Sequence, residues 1–183
     1  ALLSGLLLAF AWPEIGIFPV LFFAFVPLLM LEDEMQKSAH PKKGRLVFWC
    51  AFLAFFIFNA ITTYWVYHAT LFGAIAAFLV NATLMATAFY IFHKIKANTR
   101  DRLGYVALLV VWVSMEYLHL NWELSWPWLT LGNGFASVPD MVQWYEYTGV
   151  LGGTIWVLLM NVLLFRLSKI KTTKAMFLPL AVM

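Results

Sequence analysis

The apolar residues of this chain come in long runs separated by short polar breaks. The runs 46–67, 71–93 and 103–118 are long enough, or nearly so, to cross about 30 Å of hydrocarbon as helix at ~1.5 Å per residue. The alternating strands of about ten residues that a membrane β-barrel needs are not visible. The pattern predicts an all-α, polytopic transmembrane helix bundle, a single domain over 1–183 with about seven spans at 1–11, 15–31, 46–67, 71–93, 103–120, 143–165 and 175–183. Pro19 and Pro27 should kink the second span unless neighbours re-satisfy its backbone. Gly149 and Gly153 form a small-xxx-small pair, which lets helix backbones approach closely.

One stretch departs from this rhythm. Residues 121–141, NWELSWPWLTLGNGFASVPDM, hold three tryptophans within seven positions (Trp122, Trp126, Trp128), then the turn Gly132-Asn133-Gly134. Gly and Asn tolerate positive φ, so the chain can reverse there. A connection of about twenty residues is long, and long connections are functional or disordered; so aromatic a segment is not disordered. It reads as an ordered loop at a membrane surface.

Composition and charge sharpen this picture. The chain is 63% hydrophobic and 11% charged, with a mean hydropathy of +0.83, whereas about a quarter of a soluble domain is charged. All 12 Lys and Arg fall in three breaks, 32–45, 94–102 and 166–174, and the alternate breaks have none. The positive-inside rule puts those three breaks and the N-terminus in the cytoplasm and the tryptophan loop outside. Insertion alone requires that alternation, so a nucleic-acid partner is not implied. Six of the nine tryptophans (Trp12, Trp65, Trp122, Trp126, Trp128, Trp144) lie near the outer ends of the spans, in part as a belt of interfacial anchors. The chain opens and closes inside apolar runs, which reads as trimming of the first and last spans rather than as a signal peptide.

Candidate chemistry is sparse. Cys50 excludes an internal disulfide and, near the cytoplasmic end of its span, reads as structural. Glu116 and Glu146 flank the tryptophan loop, and acids within apolar spans are costly. They could serve as an acid/base pair, or each could accept hydrogen bonds that hold the loop. Asn59, Asn81 and Asn161 should bond across helices. His68 and His119 fit no metal motif, and neither a G-x-S-x-G elbow nor a phosphate-binding loop is present. No cofactor is implied.

Several segments, in order, resemble the membrane part of the apolipoprotein N-acyltransferase family. Leu8-Ala9-Phe10-Ala11-Trp12-Pro13 is similar to its first-span ending, and residues 59–69, NAITTYWVYHA, to its third-span exit, with Trp65-Val66-Tyr67 as the core. Glu116-Tyr117-Leu118 followed by Trp126-Pro127-Trp128-Leu129-Thr130-Leu131-Gly132 resembles the family's "E-[YF]-L/R … [FW]-P-W-x-x-x-G" loop. Gln143 to Gly149, Gly152 and Asn161 resemble the start of its next span.

The resemblance implies an inner-membrane bacterial enzyme, working on the periplasmic side. It transfers an acyl chain from a phospholipid, through a cysteine thioester, to the amine of a diacylglyceryl-modified apolipoprotein. The family's nitrilase-like Glu-Lys-Cys domain follows the seventh span and is missing here, so no catalytic residue is expected in this chain, and Cys50 does not match the nucleophile. The residues implied for the rim of a lipid cavity are Trp65, Tyr67, Glu116, Trp126, Pro127, Trp128, Gly132, Gln143 and Glu146. A non-catalytic scaffold or lipid-binding subunit, or the membrane part of another lipid- or sugar-transferring enzyme, stays open. A transporter fits less well, because the polar residues concentrate at one face.

Overall fold

In the computed structural model, which describes residues 1–99 and 101–177, every regular element is helical. Four helices are long and apolar enough to cross a membrane: α3 (Lys43–Thr62), α4 (Leu71–Asn98), α5 (Asp101–Leu120) and α6 (Tyr145–Phe177, apolar over Tyr145–Lys169). The chain is a helical membrane bundle. The first apolar run forms only the ten-residue α1 (Leu2–Ala11), about 15 Å of helix, roughly half the hydrocarbon thickness. The seventh span expected at 175–183 lies largely outside the described residues, as does Arg100.

The second run breaks where its prolines predict. Phe18–Phe22 is a 3-10 turn with Pro19 in its first positions, and α2 (Val26–Lys37) restarts with Pro27 in its first turn, where the missing N–H forfeits no helical hydrogen bond. Asn161 on α6 mends the gap: it accepts from the Phe25 N–H at 2.8 Å and donates to the Leu21 carbonyl at 2.8 Å. Asn59 instead donates to the Phe55 carbonyl of its own helix at 2.8 Å, reaching α4 only at the Met85 sulfur, 3.6 Å away.

Aromatic rings fill the centre. Trp112 of α5 meets Phe25 edge-on at 5.1 Å and Phe55 at 5.3 Å, and Phe55 meets Phe89 at 6.4 Å, so α2, α3, α4 and α5 share one core. Trp12, expected near the interface, is buried and stacks edge-on against Phe58 at 5.0 Å; its indole is core, not belt.

The three charged breaks are helix over much of their length. Residues 32–37 are the second half of α2, α4 runs on through Asn98, and α6 continues unbroken across 166–174. Lys, Arg and Glu are good helix formers, so a run of charge can mark the edge of the apolar zone without ending a helix. Two of the three acids of α2, Glu32 and Asp33, are also not solvated. Glu32 is fully buried, with Lys96 Nζ at 2.5 Å, Gln36 Nε2 at 2.8 Å and His93 Nδ1 at 3.0 Å. Asp33 pairs with Lys169 and, at 2.8 Å, with Lys37. Burial alone would raise both carboxyls; hydrogen bonds from His93 and Lys96 to Glu32, and from Lys169 and Lys37 to Asp33, outweigh it and hold them below the usual carboxylate range. This cluster ties α2, α4 and α6 together at one end of the bundle, and the tryptophan loop lies at the other.

Candidate functional site

The loop between α5 and α6 folds as three 3-10 turns, Pro127–Leu129, Leu131–Phe135 and Pro139–Val142. Pro starts the first and third, since its fixed φ suits the opening position of a helical turn. Asn133 donates from Nδ2 to the Pro127 carbonyl at 2.7 Å, closing the first turn onto the second.

Glu116 anchors the loop. Its buried carboxylate accepts from Trp112 Nε1–H at 3.0 Å and the Leu131 N–H at 2.9 Å on one oxygen, and from the Thr154 hydroxyl at 2.6 Å on the other. One side chain thereby joins α5, the loop and α6. Glu146 is exposed and shares none of these partners. The acid/base pair is therefore not assembled: one acid is a buried acceptor and the other faces outward.

Gly132 is where the loop meets α6. Its N–H donates to Thr154 Oγ1 at 3.2 Å and its carbonyl accepts from the Tyr145 hydroxyl at 2.9 Å. A Cβ there would run into the Val150 carbonyl, and one at Gly153 would run into the Tyr145 hydroxyl and lie 3.0 Å from the Gly132 Cα. The close approach at Gly153 is thus to Tyr145 first and to the loop behind it. Gly149 does something else: at φ +63° and ψ −174° it interrupts the start of α6, with open space around the missing side chain. Only glycine adopts such a backbone readily, so this glycine sets a kink and not a helix–helix contact.

The aromatic rim comes from two places in the chain. Trp65 and Tyr67 lie on the 3-10 turn Tyr64–His68, between α3 and α4. Trp65 meets Trp128 edge-on with ring centroids 5.5 Å apart, and both stay substantially exposed, at 42% and 54%. Tyr67, next to Trp65 on the same turn, is exposed and meets His68 edge-on at 5.8 Å. Gln143 is directed into the loop's own backbone, donating to the Pro139 carbonyl at 3.1 Å.

A cavity of about 390 Å³ opens at the same end of the bundle, walled by Gly73, Ala77 and Asn81 of α4 and by His119, Glu123 and Trp126. Trp126 carries a buried Nε1–H with no acceptor among the described residues. Sequence reasoning named Trp126 but missed His119 as a wall residue. The arrangement can hold an amphipathic molecule at the bundle end; among the residues placed here, none forms a nucleophile with a base beside it.

The sequence profile of the apolipoprotein N-acyltransferase N-terminal domain matches residues 4–163. The chain is 34% identical over 170 residues to a protein of Chlorobaculum tepidum named apolipoprotein N-acyltransferase, covering 91% of this chain and 31% of that one. It is 27% identical over 173 residues to a protein of the same name from Geobacter metallireducens, covering 91% of this chain and 32% of that one. The chain thus spans under a third of the length of these curated relatives. No solved structure matches significantly.

Proposed function

Since this chain belongs to the apolipoprotein N-acyltransferase family, whose N-terminal domain profile covers most of it, we propose that it is the membrane domain of such an enzyme. Its task is to gather lipids at the tryptophan end and present their reacting groups to catalytic residues outside these 183. The observation that carries this reading is the exposed Trp65–Trp128 pair at the end of the bundle where Trp126 walls a cavity, with Trp126 and Trp128 on a loop fixed by Glu116.

The reaction is acyl transfer in two halves. A cysteine thiol outside this segment attacks an ester carbonyl of a phospholipid, forming a thioester as the ester C–O bond breaks, and the thiol's proton passes to the leaving oxygen, which departs as the lysophospholipid hydroxyl. The α-amine of a diacylglyceryl-modified lipoprotein then attacks the thioester, and the amide forms as the thiol leaves. Splitting one difficult transfer into two is the gain of covalent catalysis. This domain contributes proximity, holding hydrophobic substrates where the reacting atoms meet. The bacterial relatives support an inner-membrane setting, and the distribution of Lys and Arg supports an orientation with the tryptophan end periplasmic.

The test is Trp128→Ala in the intact enzyme. Trp128 is exposed and packs on Trp65, so its loss should leave insertion and folding unchanged while acyl transfer to a diacylglyceryl peptide slows. Turnover equal to wild type would remove the rim from the mechanism.

A further inference from the structure

Tyr145 stands outside the tryptophan loop, as the first residue of α6, yet its hydroxyl reaches back into it. Two neighbours set that reach. Trp144 meets the Tyr145 ring edge-on at 4.9 Å and is itself edge-on to Trp156 at 5.8 Å. Gly153 leaves room for the far end of the ring, because a side chain there would collide with the hydroxyl. A tyrosine that serves only as an interfacial anchor keeps its polar tip wet. This one gives its O–H to the carbonyl of buried Gly132.

The bond acts on a rigid unit. A peptide group is planar, so a carbonyl and the N–H that follows it move together. The Gly132 carbonyl, 2.9 Å from the Tyr145 hydroxyl, shares its plane with the Asn133 N–H. That N–H donates to the Thr130 carbonyl at 2.8 Å, so the unit is gripped at both edges. The N–H groups of Leu131 and Gly132, held by Glu116 and Thr154, belong to the two units before it. Glu116 therefore anchors the loop as far as Gly132, and Tyr145 fixes the unit from which Asn133 springs.

Asn133 carries the constraint onward. Its side chain donates to the Pro127 carbonyl at 2.7 Å, and that carbonyl shares a plane with the Trp128 N–H. Pro127 adds no freedom of its own, since its ring fixes φ. Trp128 then packs edge-on against Trp65, with ring centroids 5.5 Å apart. Two hydrogen bonds and two planar units thus connect the start of α6 to the rim.

We propose that Tyr145 is a positioning residue for the tryptophan rim. Its hydroxyl sets Trp128 through Gly132, Asn133 and Pro127, and acyl transfer depends on that setting. The placement of Trp128 stands on these contacts; only its use in transfer rests on the acyltransferase reading.

The test is fluorine NMR of the intact enzyme in detergent, with fluorotryptophan at every tryptophan position. Trp128→Phe and Trp49→Phe identify the signals of the rim and of the opposite end of the bundle. Tyr145→Phe keeps the ring and removes the donor. It should shift or broaden the Trp128 signal, leave the Trp49 signal in place, and slow acyl transfer several-fold with Tm close to wild type. Asn133→Ala cuts the next bond from a half-buried loop position. It should move the same signal and slow transfer likewise, and it serves alone if the first variant misfolds. A Trp128 signal that moves in neither folded variant, or in only one of two, overturns the relay. Movement with wild-type turnover overturns the positioning role if Trp128→Ala slows transfer. If Trp128→Ala also leaves transfer unchanged, the relay stands and the proposed function falls.

Discussion

Glu116 gathers three donors from three parts of the chain: an indole one helical turn before it, a backbone N–H in the loop and a hydroxyl on α6. Removing the carboxylate leaves all three buried and unpaired, at about 1–3 kcal/mol each. Glu116→Ala should therefore lower stability by about 3 kcal/mol or more, read as a marked drop in Tm in detergent. Glu116→Gln should retain most of it, because the amide oxygen still serves Trp112 and Leu131 while the Thr154 hydroxyl rotates to accept from the amide NH2. An alanine variant as stable as wild type would mean that the loop is held elsewhere. The same residue marks how far sequence reaches. Glu116 and Glu146 look equivalent along the chain, each at a span end beside the loop. What separates them is the aim of the side chain, buried for one and outward for the other, and that depends on how α5 and α6 are rotated about their axes.

Among the elements, the long apolar runs were readable because their signal is local: α3, α4, α5 and α6 each announce themselves by length and hydropathy. The prolines of the second run were readable for the same reason, since Pro19 and Pro27 act on their own backbone. The helix ends are not legible in this way, because charged residues that break the apolar pattern continue the helices, several of them bound in ion pairs. The pairs that bind one helix to another join residues 61 or more apart, as His93 to Glu32 and Lys169 to Asp33, and no local pattern encodes them. The cluster has a consequence for acid stability. Glu32 and Asp33 are held below their ordinary values of 4.5 and 3.8, so the folded state binds fewer protons there than the unfolded one. Their contribution is complete above about pH 4.5 and is lost as pH falls through the lowered folded values. Lys37, raised by its bonds to Asp33 and Glu34, stays charged throughout and does not alter the sign. Thermal unfolding in detergent should show Tm level from pH 7 to 5 and falling below pH 4. Glu32→Gln should start lower and decline less steeply; a wild-type Tm that is flat down to pH 3 would show that the cluster contributes no net stability.

At the scale of the whole molecule, the two ends of the bundle are chemically opposite. One gathers Lys96 and Lys169 around the acids of α2 and Lys43 on the Gln36 carbonyl near its end, and the other carries the tryptophan loop without a single Lys or Arg. The composition of that loop was legible as a site in the sequence, but its geometry was not. Trp65 and Trp128 meet across 63 positions, and His119, which fits no metal motif in the sequence, lines the cavity beside Trp126. Only packing of α4 against the end of α5 and the loop makes that cavity. The opposition of the ends does fix what orientation to expect. Moving positive residues across a membrane is resisted in short loops, so the cluster end should face the cytoplasm and the tryptophan end the periplasm. Cysteines placed at Ser137, in the exposed loop, and at Ala39, between α2 and α3, in a Cys50→Ala background, make this measurable. A membrane-impermeant maleimide added to intact spheroplasts should label Ser137→Cys and leave Ala39→Cys unlabelled until the membrane is opened. The reverse pattern would place the aromatic rim on the cytoplasmic side. It would then be cut off from any acceptor presented at the outer surface, and the acyl-transfer reading would fall with it.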